Sequence, residues 1–124
     1  MESKRQRQVS AIIQRHFSEV LRQEGSYIYG SQPLVSITHV LMSPDLGLAK
    51  IYVSVWNTEN KQAVLLQMED QRHRLKQLLA QRVRRHLRRI PHIDFYIDET
   101  LDEIEKVDSL FTNLNSKDKG DTEE

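Results

Sequence analysis

The chain has 124 residues, no cysteine and a formal net charge of zero at pH 7. This length suits one domain with a single hydrophobic core, and the lack of cysteine excludes disulfide bonds and thiolate metal ligands. No apolar run approaches the roughly 20 residues that span a bilayer, and the opening MESKRQRQ lacks the apolar stretch of a signal peptide, so we expect a cytoplasmic protein without membrane contact.

The first predicted element is an amphipathic helix over residues 3–24. Its apolar side chains recur three and four positions apart and form one stripe, which comprises Val9, Ile12, Ile13, Phe17, Val20 and Leu21. The following residues, EGSYIYGSQP at 24–33, include two glycines and a proline. This composition predicts that the chain turns there.

Two strands are predicted next, over residues 34–43 and 46–56, because both segments are rich in β-branched residues and alternate in polarity. The segment SPDLG at 43–47 should join them as a hairpin. In the second strand Ala49, Ile51, Val53 and Val55 lie on one side, and Lys50, Tyr52, Ser54 and Trp56 lie on the other. The apolar side is expected to face the core.

Residues 61–90 return to helical periodicity. The apolar stripe thins across EDQRHR at 69–74, which predicts a kink or break, and Pro91 should end the helix because it lacks an amide donor. A third strand is predicted at 92–98 and a short last helix at about 99–114. The polar segment NSKDKGDTEE at 115–124 has nothing to bury, so we expect a disordered C-terminal tail after a single domain of residues 1–114.

These elements predict a fold class. The order is helix, two strands, two helices, strand and helix, and every helix carries an apolar stripe that needs a shared apolar surface. We therefore expect an α+β fold in which a three-stranded sheet carries helices on one face.

The neutral total charge conceals two oppositely charged parts of the chain. Up to Ile90 there are 15 Lys and Arg against 7 Asp and Glu, whereas the remainder has 3 against 11. Residues 72–91 alone hold eight Lys or Arg and no acidic residue. On a helical projection these cations lie mostly opposite the apolar stripe. Arginine in such numbers favours phosphate, because the planar guanidinium makes bidentate contacts.

We therefore predict an RNA-binding face built from cations of the first helix and of the basic segment. The candidates are Lys4, Arg5, Arg7, Arg15, Arg22, Arg72, Arg74, Lys76, Arg82, Arg84, Arg85, Arg88 and Arg89. Two other interpretations stay open: the cations serve solubility, or the acidic run at 98–108 neutralises part of the face. Tyr52, Trp56 and Tyr96 are candidates for stacking on bases, with packing on the sheet face as the alternative.

Sequence signals for catalysis or metal binding are weak. The five histidines, at 16, 39, 73, 86 and 92, form no HxH or HExxH pattern, and there is no P-loop, GxSxG or GxGxxG motif. The acidic run lacks EF-hand spacing. We expect a protein that is not an enzyme, uses no cofactor or metal and takes no small-molecule substrate.

Two segments carry joined motifs, VSITHVLMSPDLGLAKIYVSV at 35–55 and LLAQRVRRHLRRIPHIDFYIDET at 78–100. They contain a Ser-x-Asp-Leu strand end at Ser43, Asp45 and Leu46, a strand from Ala49 to Val53, a basic helix closed by Pro91, and a Phe-x-x-Asp strand end at Phe95 and Asp98. Over about residues 5–112 the chain resembles the ribosome-binding factor A family.

That resemblance implies a type II KH-like fold, ordered α-β-β-α-α-β, and binding to the small ribosomal subunit and its rRNA. The family bends its two central helices at an Ala-x-Gly kink, and the matching region between His73 and Leu75 has neither residue. We expect a monomeric factor that binds the free 30S subunit and assists late 16S rRNA processing and folding, with a role in cold adaptation. A general single-stranded RNA-binding protein and a protein-interaction module are the alternatives.

Overall fold

The computed structural model describes residues 2–98, which form three helices and three strands. In chain order these are α1 (Lys4–Tyr29), β1 (Leu34–Met42), β2 (Leu48–Trp56), α2 (Lys61–Asp70), α3 (Arg72–Val83) and β3 (His92–Ile97). The predicted last helix at 99–114, the predicted tail at 115–124 and the C-terminal limit of the predicted domain lie outside the described residues. Over residues 2–98 the α-β-β-α-α-β order is confirmed.

The three strands form one sheet in the order β1-β2-β3. β1 and β2 pair antiparallel as the predicted hairpin, and a bulge interrupts β1 between Ile37 and His39. β3 lies parallel to β2, with Phe95 opposite Ile51. A parallel pair needs a long crossover connection, and α2 and α3 supply it.

The core lies between the helices and one face of this sheet. The predicted apolar side of β2 is buried throughout, and it meets the fully buried Ile13 and Phe17 of α1. Met68 of α2 and Leu75 and Leu79 of α3 close the same cluster. The predicted α+β, KH-like fold with helices on one face of a three-stranded sheet is therefore confirmed.

Helix α1 runs past its predicted end at Glu24 and ends at Tyr29. The chain does turn within the predicted stretch 24–33, but only from Gly30, because Gly25 lies inside the helix and is buried against the ring of Tyr29. A Cβ atom on Gly25 would lie 2.6 Å from Tyr29 Cζ. The absence of a side chain on Gly25 therefore leaves room for the ring of Tyr29, which lies one helical turn further along the chain. The helix ends at Gly30, which has a φ of 90°.

The break between α2 and α3 falls at Gln71, inside the predicted segment 69–74. The Gln71 N–H is shared between the carbonyls of Gln67 at 3.3 Å and Met68 at 3.1 Å. Its φ of −101° and ψ of 17° are open to residues of any type, so the break needs no glycine. The break precedes the region between His73 and Leu75. It separates α2, which packs mainly against β3, from α3, which packs mainly against α1.

Helix α3 ends at Val83, so the prediction that it continues to residue 90 was wrong. The chain turns instead, with the N–H groups of His86 and Leu87 both donating to the Val83 carbonyl at 2.8 and 3.0 Å. Leu87 is buried and anchors the turn. The chain must then reach the β1–β2 hairpin, where the carbonyl of Gly47 accepts the His92 N–H at 2.9 Å as β3 begins.

Candidate nucleic-acid interface

The predicted RNA-binding cations lie on three structural elements rather than on two helices. α1 carries Lys4, Arg5, Arg7, Arg15 and Arg22; α3 carries Arg72, Arg74, Lys76 and Arg82; residues 84–89, here named the arginine turn, carry Arg84, Arg85, Arg88 and Arg89. All of these side chains are exposed except Lys76, which is half-buried.

Some of these cations are already engaged within the protein. The ion pairs are Arg22–Glu19, Arg72–Asp94 with 3.0 Å between Nη1 and Oδ1, and Arg74–Glu24 with 2.8 Å between Nη2 and Oε1. Arg7 Nη1 donates to the Glu2 carbonyl at 3.0 Å. Exposed pairs are worth about 0 to 1 kcal/mol each, but they cancel part of the local positive charge. Most of the predicted acidic run at 98–108 lies outside the described residues.

Five arginines converge on one cavity of about 490 Å³. Arg5 reaches it from α1, and the other four come from the arginine turn. Within residues 2–98, the side chains of Arg5, Arg84, Arg85 and Arg88 form neither a hydrogen bond nor an ion pair. The remaining walls are Val9, Asp45, Leu46, His86 and Leu87. The cavity therefore combines an apolar floor with guanidinium groups that are free to bind an anion.

Asp45 is the one carboxylate among the residues that line this cavity. Its Oδ1 accepts from Ser43 Oγ at 2.7 Å and from the Gly47 N–H at 3.0 Å. These hydrogen bonds, followed by the charge of Arg89, hold the pKa of Asp45 below its usual value. Asp45 is therefore ionised at neutral pH. Its single negative charge is outnumbered by the five guanidinium groups of the cavity, and its hydrogen bonds hold the β1–β2 turn together.

Gly47 of the β1–β2 turn lies close to Arg89 of the arginine turn. A Cβ atom there would lie 2.8 Å from Arg89 Nη2. The residues of the Ser-x-Asp-Leu motif thus have a structural role beside the cavity: Ser43 Oγ accepts from the Leu48 N–H at 2.9 Å, and Leu46 lines the wall.

A second group of cations lies between α1 and α3. The rings of His16 and His86 are 5.5 Å apart, and burial of His16, followed by the charges of Arg82, His86 and Arg15, lowers its pKa. His16 is therefore neutral at pH 7 and adds no charge. Because His86 also lines the cavity, Arg15 and Arg82 extend the basic surface away from the arginine turn.

The aromatic candidates for base stacking are arranged differently. Tyr52 stacks on Tyr96 with ring centroids 5.3 Å apart and on His39 with centroids 4.3 Å apart. The ring faces of Tyr52 are thus occupied by neighbouring strands, which favours the sheet-packing interpretation. His39 was missed because the bulge in β1 shifts the alternation by one residue and places His39 on the same side as Tyr52.

Within residues 2–98 no helix is both long and apolar enough to cross a bilayer. In the same part of the chain no group of three or more His, Cys, Asp or Glu side chains is placed to hold a metal ion. What the fold and this surface define is a small KH-like α+β domain with an arginine-lined cavity at one end of its helical layer.

The family model for ribosome-binding factor A matches residues 5–111, and the chain belongs to that family. Ribosome-binding factor A of Cytophaga hutchinsonii is 35% identical over 121 residues, which cover 98% of this chain and 90% of that protein. The Flavobacterium psychrophilum protein of the same name is 36% identical over 109 residues, which cover 88% of this chain and 84% of that protein.

Known structures of similar proteins share the fold. The crystal structure of ribosome-binding factor A from Thermus thermophilus gives a TM-score of 0.62 at 23% identity, covering 74% of this chain and 94% of that chain. A homology model of the Thermus thermophilus factor, fitted into a cryo-EM map of its complex with the 30S subunit, gives 0.57 at 26% identity, covering 72% and 90%. The resemblance noted in the sequence is confirmed, and so is its fold.

Proposed function

We propose that this chain is a non-enzymatic, cytoplasmic factor that binds the free 30S ribosomal subunit as a monomer and assists late processing and folding of its 16S rRNA. The observation that carries the proposal is the cavity lined by Arg5 and the arginine turn. Membership of the ribosome-binding factor A family supports it, as does the Thermus thermophilus factor seen in complex with the 30S subunit.

The cavity arginines are the groups proposed to hold rRNA phosphates. Four of them have no partner within residues 2–98, so a phosphate would not have to displace a carboxylate. Arg15 and Arg82 extend this surface, and the remaining predicted cations contribute to the long-range attraction of RNA. Contacts to phosphate position a protein without reading bases. Selectivity for the subunit must then come from the shape of folded rRNA and from ribosomal protein.

The proposed mechanism is steric and conformational. The bound factor holds one rRNA region in an immature or protected arrangement and leaves when folding is complete. Misfolded RNA helices rearrange slowly in the cold, which would make such a factor more necessary at low temperature. In this proposal residues 1–114 act as one domain and residues 115–124 are dispensable for binding.

The salt dependence of subunit binding tests the phosphate contacts. If each of the five cavity arginines neutralises one phosphate, the logarithm of the binding constant falls with the logarithm of salt concentration with a slope of roughly −3.5 to −4.5, at about 0.7 to 0.9 per contact. The measurement is co-sedimentation with purified 30S subunits across a salt series. A slope shallower than about −1 would rule out the phosphate contacts.

A parallel titration with short single-stranded RNA separates the two RNA-binding functions. A ribosome maturation factor binds the folded subunit far more tightly than an oligonucleotide of similar charge. Equal affinity for both at the same salt concentration would instead identify a general single-stranded RNA-binding protein.

A further inference from the structure

The sheet has a second face that no helix within residues 2–98 covers. On this face, named here the open face, lie the exposed side chains Leu34, Leu41 and Tyr96, which are 57%, 41% and 38% accessible. A groove of about 410 Å³ runs beside Leu41, where Pro44 and Leu48 line it. Large apolar side chains gathered on one side of a sheet indicate a surface that another element packs against.

The aromatic side chains on the open face show which kind of element fits. His39, Tyr52 and Tyr96 form a row across all three strands, with their ring planes turned toward one another. The row therefore offers ring edges rather than faces to the outside. Ring edges pack well against aliphatic side chains, whereas a nucleic-acid base needs a free ring face on which to stack.

The last described residue, Asp98, directs its side chain over this same face. The Asp98 N–H donates to the Val53 carbonyl of β2 at 2.8 Å, and the Asp98 carboxylate accepts from Thr38 Oγ1 of β1 at 2.6 Å. The carboxylate also lies 3.4 Å from His39 Nδ1. At the last described residue the backbone still continues the parallel ladder with β2, and the Asp98 side chain reaches across β2 to Thr38 and His39 of β1.

We propose that residues 99–114 pack as an amphipathic helix against the open face. This segment carries apolar residues at helical spacing, Leu101, Ile104, Val107, Leu110, Phe111 and Leu114. Sixteen helical residues extend about 24 Å, which is close to the length of about 30 Å expected for the nine-residue strand β2.

Charge and an unsatisfied donor support the same occupant. Residues 99–108 contain five acidic residues and one lysine, and Lys50 on the open face has no ion pair within residues 2–98. The indole Nε1 of Trp56, on the same side of β2, is buried without a hydrogen-bond partner in that part of the chain. Buried donors are normally paired, so an acceptor from beyond residue 98 is expected there.

Trp56 is the sole tryptophan of the chain, so its fluorescence reports on this face alone. The test compares acrylamide quenching in the full-length chain and in two variants of equal charge change. Val107→Lys with Phe111→Lys places cations in the apolar stripe. Ser109→Lys with Asn113→Lys places them on the opposite side of the same helix.

The stripe variant is expected to quench more strongly and to emit at longer wavelength, whereas the control variant should match the unmodified chain. Far-UV circular dichroism establishes that both variants keep the fold of residues 2–98. Equal quenching of all three folded proteins would overturn the proposal. So would shielding of Trp56 that grows with protein concentration, because it would show a second copy on the face, or shielding that appears only when RNA is added.

A measurement on the unmodified chain covers the case in which the stripe variant fails to fold. Methyl-labelled protein should show nuclear Overhauser contacts from the methyl groups of Ile104 and Val107 to the rings of Trp56 or Tyr96. The absence of such contacts in well-resolved spectra would equally overturn the proposal. Neither experiment involves the ribosome, so its outcome is independent of the proposed function.

Discussion

Replacing Arg84, Arg85 and Arg88 together with Gln tests the arginine turn directly. The change removes three of the five guanidinium groups that line the cavity. At about 0.7 to 0.9 per phosphate contact, the slope of log binding constant against log salt for 30S subunits should become shallower by about 2 to 3. Affinity at low salt should fall steeply for the same reason. The assay is co-sedimentation with purified subunits across a salt series.

The fold should survive this substitution. All three side chains are exposed and form no hydrogen bond within residues 2–98, and their removal relieves repulsion between like charges. The melting temperature should therefore hold or rise slightly. By contrast, Leu79→Ala on the buried side of α3 should cost about 2 to 5 kcal/mol of stability through lost burial and a cavity.

A matched control separates the cavity from total charge. Replacing Arg22, Arg72 and Arg74 together with Gln removes the same number of cations. Each of these three arginines is already paired with a carboxylate. This control should lower subunit affinity much less than the cavity variant. Equal losses in the two variants would mean that binding depends on overall charge alone. Normal binding by a folded cavity variant would show that the arginine turn serves solubility.

Two further predictions concern the helical layer. Gly25→Ala should destabilise the chain by about 1 to 3 kcal/mol in a thermal melt, because its Cβ would meet the Tyr29 ring; adding Tyr29→Ala should remove the dependence on glycine. The free energy of unfolding should fall as pH drops through the ordinary His16 pKa of 6.5, because the lowered pKa of folded His16 lets the unfolded chain bind the proton first. His16→Asn should flatten that part of the pH dependence in urea melts, and an unchanged pH profile would contradict the lowered pKa.

The sequence by itself determined the elements and the fold class. Stripes such as Val9, Ile13 and Phe17 predict a helix, and alternation in residues 49–56 predicts a strand with a buried side, because both periods follow from local backbone geometry. The uneven distribution of charge was equally visible in the sequence. So were the joined motifs around Ser43 and Pro91, through which the family could be identified.

The ends of two helices were decided by tertiary packing. Three residues signal a turn in the sequence, namely Gly25, Gly30 and Pro33. Only the buried contact between Gly25 and Tyr29 places the turn at Gly30 rather than at Gly25. Periodicity likewise continues through Leu87 because that residue is buried in the turn as it would be in a helix. A buried residue can keep helical spacing after the helix has ended.

The composition of the candidate site also required the tertiary structure. Arg5 joins the arginine turn from the other end of the chain, whereas Arg74 pairs with Glu24, fifty residues away in sequence. The bulge in β1 likewise moved His39 to the open face. Local periodicity assigns a side chain to the buried or exposed side of its own element. Which exposed cations meet a carboxylate and which stay free depends on how distant elements pack together, and that is decided only when the core forms.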